Sequence, residues 1–411
     1  MKVPLNIRDG QKQRDFLDYL NSALRERMPN LRGGAGRDES GNFVSTIYGA
    51  FQIDQDKISL SWRIKKDPAG VLVDLEVESL DEDVPETKWR TAAYEFITSV
   101  LATALADSRR TFFRRNLFFY FGPQLDGEYW LPGFRFAPVL VDDPMPLLLN
   151  GERVTAIDQV VEAIDDIHAS ALANEAAKRI AARLSLLLNV GLSAPDHTMR
   201  WVLIQTDDGT VKESIRCHTG YLHPDANITE MPKKGDLCPA GSYSGSLAAR
   251  YRVAGELQSL PPQARKILRG IDQADPVITD AFDRGARLYH VALVCGRTFP
   301  SVGLAYRVAA VEAISKATPD ADSFAEFMRN HVESQNNIEP MLKYLYGKAR
   351  SGHFHEGVFP LGEYATQWHG GGLMDSDSIE LDALHRACYE LTREAIVNWI
   401  LKLVPEKTGT E

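Results

Sequence analysis

Arginine, serine and two histidines gather in one short run, Arg350, Ser351, His353 and His355. A guanidinium stays charged and presents a planar fork of donors matched to phosphate oxygens, whereas an imidazole gives and takes a proton near neutral pH. Together they suit an acid/base step on a phosphodiester without a metal. The arginine balances charge building on the phosphate oxygens while a histidine moves the proton. Arg350 and His355 are the candidate catalytic pair, and Ser351, His353 and Tyr346 the candidate substrate contacts. Each has a plainer alternative: His353 facing solvent, His355 capping helix carbonyls, Tyr346 packing on a core helix, and Arg350 tying helices together through Glu312.

The stretch around them, NIEPMLKYLYGKARSGHFHEG at 337–357, supplies the element that holds them. Ile338, Met341, Leu342, Leu345 and Ala349 recur at helical spacing, which predicts a helix with one buried stripe. Gly357 stops it and Pro360 follows. Positive charge is favoured at a helix C-terminus, so the protonated form of a histidine is stabilised there. Spacing by itself selects nothing, because Arg216 with His223 and Arg284 with His290 are similarly placed. Context separates them: Arg284 falls inside a long predicted helix and Arg216 in a predicted loop, leaving Arg350 and His355 where a buried helix meets a turn.

The segment LYGKARSGHFHEG, preceded by YRVAAVEAISKA and followed by a long amphipathic helix, resembles the HEPN superfamily, most closely its ApeA-like members. The likeness covers roughly residues 275–404. It implies a helical bundle in which Arg350 and His355 form the ribonuclease motif, with two subunits pairing through the bundle around one cleft. It further implies a metal-independent endoribonuclease that uses the substrate's 2'-hydroxyl, leaves a 2',3'-cyclic phosphate, needs no cofactor and serves in phage defence or stress response. Glu356 stands between His355 and Gly357, where the family has His followed directly by Gly. That departure, with the acidic charge, supports an alternative: a non-catalytic HEPN-like dimerisation or ligand-binding module.

At 411 residues the chain has room for two or three domains. A net charge of -10 argues against a broad basic surface coating nucleic acid, leaving RNA as a partner only for a small local site. The N-terminus has no apolar signal core, and no run of about 18 apolar residues occurs, so neither a membrane partner nor a span is expected and the location is expected to be cytoplasmic. Four cysteines, Cys217, Cys238, Cys295 and Cys388, are too scattered for a disulfide framework.

The expected fold class is α+β: an N-terminal antiparallel sheet with packed helices over 1–150, a helical and hairpin connection over 151–240, an all-α bundle over 241–404, and a tail over 405–411. Ile58, Leu60, Trp62 and Ile64, then Val71, Val73, Leu75 and Val77, alternate with polar residues as half-buried strands do. Phe43–Ile53 adds a third strand, and 111–121 and 129–140 two more. A helix over 87–106 carries Trp89, Phe96 and Val100 on one face. Leu31 to Gly41 reads as a flexible loop, and its GGAG matches no phosphate-binding spacing. Asp81, Glu82, Asp83 and Glu86 read as a solvated turn. Val154 to Val190 reads as helical. Asp-Gly at 208–209 predicts a hairpin. Cys217, His218, His223 and Cys238 have zinc chemistry without a standard zinc spacing, so no metal site is assigned. In the bundle, helices are expected over 246–260, 262–273, 276–297, 301–317 with Ser301 as cap, 320–332 and 382–404.

Overall fold

The computed structural model describes residues 1–28, 30–106, 109–139, 152–194, 199–206, 210–218, 228–235, 257–318, 321–333, 338–361, 363–364 and 376–404. The fold is α+β, with an N-terminal five-stranded sheet, a second sheet and helices mostly C-terminal. Two compact units divide the chain, one of Met1–Phe112 with Val160–Ala173 and one of Phe113–Gln159 with Asn174–Glu411.

In the first unit, β1 (Lys2–Ile7), β2 (Arg32–Arg37), β3 (Phe43–Ile53), β4 (Asp56–Lys66) and β5 (Leu72–Ser79) form an antiparallel sheet ordered β1-β5-β4-β3-β2. The helices α1 (Gly10–Arg27) and α2 (Glu86–Leu105) contribute to one core with it. The alternation read in β4 and β5 sets Leu60, Trp62, Leu75 and Val77 into that core beside Phe16, Leu20 and Leu24 of α1 and Trp89, Ala93, Phe96 and Val100 of α2. Phe51, Trp62 and Phe96 form a triangle of rings with centroids 5.3–5.4 Å apart.

Several features here differ from the sequence reading, strand β1 among them. Helix α1 was not anticipated, although its signals are present: the Asp9 carboxylate accepts from the Gln11 and Lys12 amides at 2.9 Å, and the buried Phe16, Leu20 and Leu24 repeat every fourth residue. The segment read as a glycine-rich loop is the edge strand β2, paired residue for residue with β3 from Arg32↔Tyr48 to Arg37↔Phe43. A long neighbouring strand overrides weak local propensity. Asp81 is also more than a solvated turn, since its Oδ2 accepts from the Ser59 amide at 2.7 Å.

Next along the chain come β6 (Arg110–Phe121), β7 (Gln124–Leu125), β8 (Tyr129–Leu131), β9 (Phe134–Val139) and β10 (Glu152–Ala163), with a sheet ordered β6-β10-β9-β8. Residues 154–163, read as helical, are therefore strand, and helix starts only at α3 (Asp166–Leu188). Residues 153–159 of β10 are buried on both faces, which erases the polar alternation that marks a half-exposed strand. Its Asp158 carboxylate is fully buried between two arginines. Arg115 donates through Nε at 2.7 Å and Nη2 at 3.0 Å, and Arg135 through Nη1 at 2.8 Å. Arg135 also donates to Glu128 at 2.6 Å.

The hairpin around 208–209 is present as β11 (Met199–Gln205) and β12 (Val211–His218). Cys217 and His218 end β12, while His223 and Cys238 lie outside the described residues. Among the described residues no three metal-ligating side chains converge, and no helix is long and apolar enough to cross a membrane. A short strand β13 (Leu257–Gln258) stands inside the helix expected over 246–260, the rest of which lies largely outside the described residues.

The bundle follows as α4 (Pro262–Gly270), α5 (Pro276–Cys295), α6 (Pro300–Ser315), α7 (Phe324–His331), α8 (Glu339–Lys343), α9 (Gly352–Glu356) and α10 (Ser376–Leu403). Phe282, Tyr289, Leu304, Val308, Val311, Phe327, Leu342, Leu345, Leu391 and Trp399 share its core. Cys388 is buried there, and burial pushes its thiol up to about 12. Helices α5 and α6 meet at Gly296 and Gly303, where a Cβ on Gly303 would lie 2.8 Å from the Gly296 Cα and 3.0 Å from the Ala292 carbonyl oxygen. Those obstacles are backbone and cannot swing aside. Gly303→Ala is therefore expected to lower unfolding free energy by about 1–3 kcal/mol, read from urea midpoints.

Ser301 does not cap α6. Its hydroxyl and amide both donate to the Glu363 carboxylate at 2.6 Å, and the hydroxyl accepts from the Leu361 amide at 3.0 Å. A carboxylate from the chain after α9 thus satisfies the α6 N-terminus.

Candidate active site

The element carrying the candidate residues is helical but changes register twice. After α8 the chain runs as a π-helix over Tyr344–Ser351 and returns to α-helix in α9. The apolar stripe lands as read: Met341, Leu342, Leu345 and Ala349 are buried. Gly357 ends α9 in the left-handed conformation at φ 66°, which a side chain would disfavour.

The π segment ends one residue after Arg350, and the chain reaches His355 through the α-helical turn of α9. Arg350 Nη1 comes to 3.5 Å from His355 Nε2. Arginine has no acceptor, so at this separation, long for a hydrogen bond, only the guanidinium can donate.

Arg350 is fixed from a second side. Its Nε donates to Glu312 Oε2 of α6 at 3.2 Å, with the two side chains 29% and 17% exposed. Its guanidinium carbon lies 5.8 Å from the centre of the Tyr346 ring, which is itself half exposed and set against Phe324. Glu312 and Tyr346 thus aim the fork while its far edge and His355 face solvent.

His353 is placed differently. Its Nδ1 donates to the Val358 carbonyl at 3.3 Å, and its ring stands edge-on to Phe354 at 5.2 Å and Phe359 at 4.9 Å. It braces the turn beside the pair. Ser351 is half-buried in the last π turn. Tyr344 is partly buried against the core: its hydroxyl meets His385 Nε2 at 2.8 Å and burial pushes it up to about 12.

Two residues at the site were missed by sequence reasoning. Glu363, tied to Ser301, and Tyr364, packed at 4.6 Å on Phe359, hold the return of the chain after α9. Neither lies in a helical repeat or a cap motif, so no local signal points to them. Arg216 sits on β12 rather than in a loop, and His223 lies outside the described residues; Arg284 pairs with Asp280 at 3.1 Å along α5. Compared with family models, curated proteins and solved structures, the chain finds no match in any of the three.

Proposed function

We propose that the chain is a metal-independent endoribonuclease of the HEPN type, acting in phage defence or stress response, with the N-terminal unit sensing or restraining it. The observation that carries this reading is the 3.5 Å approach of Arg350 Nη1 to His355 Nε2 at a solvent-facing helix end. The RNA phosphate would take the place of His355 on the guanidinium, freeing Nε2 to remove the proton from the 2'-hydroxyl. The 2'-oxygen then bonds to phosphorus, the bond to the 5'-oxygen breaks, and that oxygen takes a proton from an imidazolium. The products are a 2',3'-cyclic phosphate and a 5'-hydroxyl. Arg350 offsets the charge on the phosphate oxygens throughout. Two subunits joined through the bundle would set two such pairs around one strand, one histidine as base and the other as acid.

Glu312 is the orienting carboxylate in this scheme. Glu312→Ala is expected to lower cleavage about tenfold, as a loosened catalytic arginine would. Its effect on unfolding free energy stays within about 1 kcal/mol, because the pair is partly solvated. Steady-state cleavage of a fluorescent RNA and a urea titration read the two quantities.

A second reading is favoured by the same ion pair, since Glu312 already partners Arg350: a non-catalytic module for dimerisation or ligand binding. Incubating the pure protein with several RNAs, with and without EDTA, separates them. Metal-independent fragments ending in a cyclic phosphate support the nuclease. Intact RNA in both conditions, or cleavage that chelation removes, rejects it.

A further inference from the structure

The edge strand β2 has an uncovered hydrogen-bonding row. The Asp38 amide donates to the Asn42 carbonyl at 2.9 Å, which sets the phase of the β2–β3 ladder. Antiparallel pairing alternates, so Gly36, Gly34 and Arg32 turn their backbone groups toward β3, while Gly33, Ala35 and Arg37 turn theirs outward. Every residue of β2 is exposed, and that outward row meets solvent.

Two of its glycines have no explanation within the chain. Gly33 needs to be glycine, because a Cβ there would lie 2.8 Å from the Thr46 carbonyl oxygen. Gly34 and Gly36 have nothing within 4 Å of an added Cβ, and neither has a positive φ. Glycine weakens a strand, and inside one it marks a place where another backbone or ligand comes close. Cross-strand register puts both on the face with Thr46, Val44, Arg63 and Lys65. They floor a trough of about 490 Å³ that Tyr48, Arg63 and Lys65 help to line.

The charges there are mixed: Arg63 and Lys65 behind the strand already hold Glu76 at 3.4 Å and Asp38 at 2.9 Å, and Arg32 and Arg37 at the strand ends add two further cations, so four cations meet two carboxylates around the trough. This stands out in a chain of net charge -10. We propose that β2 is a docking edge for an extended acidic segment of another protein, which adds to the five-stranded sheet against Gly33, Ala35 and Arg37 and turns its carboxylates toward Arg63 and Lys65. A second copy of this chain would bring the same cations to the seam, so charge disfavours it. The proposal does not depend on ribonuclease activity.

Hydrogen exchange on the full-length protein tests it, with an eight-residue peptide alternating glutamate and valine as probe and its lysine counterpart as control. The acidic peptide is expected to slow exchange over residues 32–37, and the lysine peptide to leave it unchanged. Ala35→Pro removes an outward amide that bonds to nothing in the sheet, and Gly34→Val fills the trough. Each should weaken the acidic peptide roughly tenfold, the size of one or two lost hydrogen bonds, with the exchange of β3–β5 unchanged. Arg63→Glu should shift preference to the lysine peptide. The proposal is overturned by equal protection from both peptides or by none. Wild-type binding in Ala35→Pro overturns it too, as does concentration-dependent self-association that protects the same amides. Protection by an oligouridylate but not by the acidic peptide would make the edge a nucleic-acid surface instead.

Discussion

If the chain is the nuclease proposed, Arg350→Ala and His355→Ala are each expected to lower RNA cleavage by about 10²–10⁴-fold, the range that a positioned acid/base or a charge-stabilising donor contributes. The unfolding transition barely moves, because Arg350 is partly solvated and His355 is exposed. The double variant is expected to be no slower than the worse single one, as for two residues that act as a unit. Arg350→Lys recovers little: an ammonium keeps the charge but lacks the fork that reaches Glu312 and a phosphate together. The assay is single-turnover cleavage of an end-labelled RNA, with melting followed on the same preparations. Full activity in either alanine variant would remove the catalytic pair from the scheme.

The largest effect on stability is expected far from that site. Asp158 is fully buried and accepts from both Arg115 and Arg135. Asp158→Ala takes a carboxylate from Arg135, itself fully buried, and a bidentate partner from Arg115. Breaking such a pair costs about 3–5 kcal/mol, because the unpaired charge stays out of water. Asp158→Asn keeps the shape and some hydrogen bonds and should cost less. Replacing Asp158, Arg115, Arg135 and Glu128 together with apolar residues of similar volume should recover much of the loss, since the penalty lies in the unmatched charge rather than in the missing bridge. Equilibrium unfolding in urea measures all three, and a neutral Asp158→Ala would contradict the buried-network account.

Residues whose role depends on near neighbours were legible from the chain. Leu60, Trp62, Leu75 and Val77 alternate because their sheet has one wet face, and Met341, Leu342, Leu345 and Ala349 fall on one helical stripe. Gly357 reads as a stop because only glycine enters the left-handed region cheaply. Arg350 and His355 were readable as a candidate pair for the same reason: five positions and one turn separate them. Even their partner Glu312 was open to inference as a carboxylate on the preceding long helix.

Other assignments waited on contacts between distant parts of the chain. RGGAGR looks like a loop until β3 supplies a ladder for it. Residues 153–159 look helical because burial on both faces removes the alternation that would mark a strand. The α6 N-terminus takes its cap from Glu363, 62 residues along the chain, which no local cap motif could announce. The π register at Tyr344–Ser351 is announced by no periodicity in those residues. Local propensity and hydrophobic period act over a few residues, so the sequence alone determined the elements and the candidate pair. Long-range pairing and burial decided the edge strand, the doubly buried strand, the distant cap and the contact of Arg350 with Glu312.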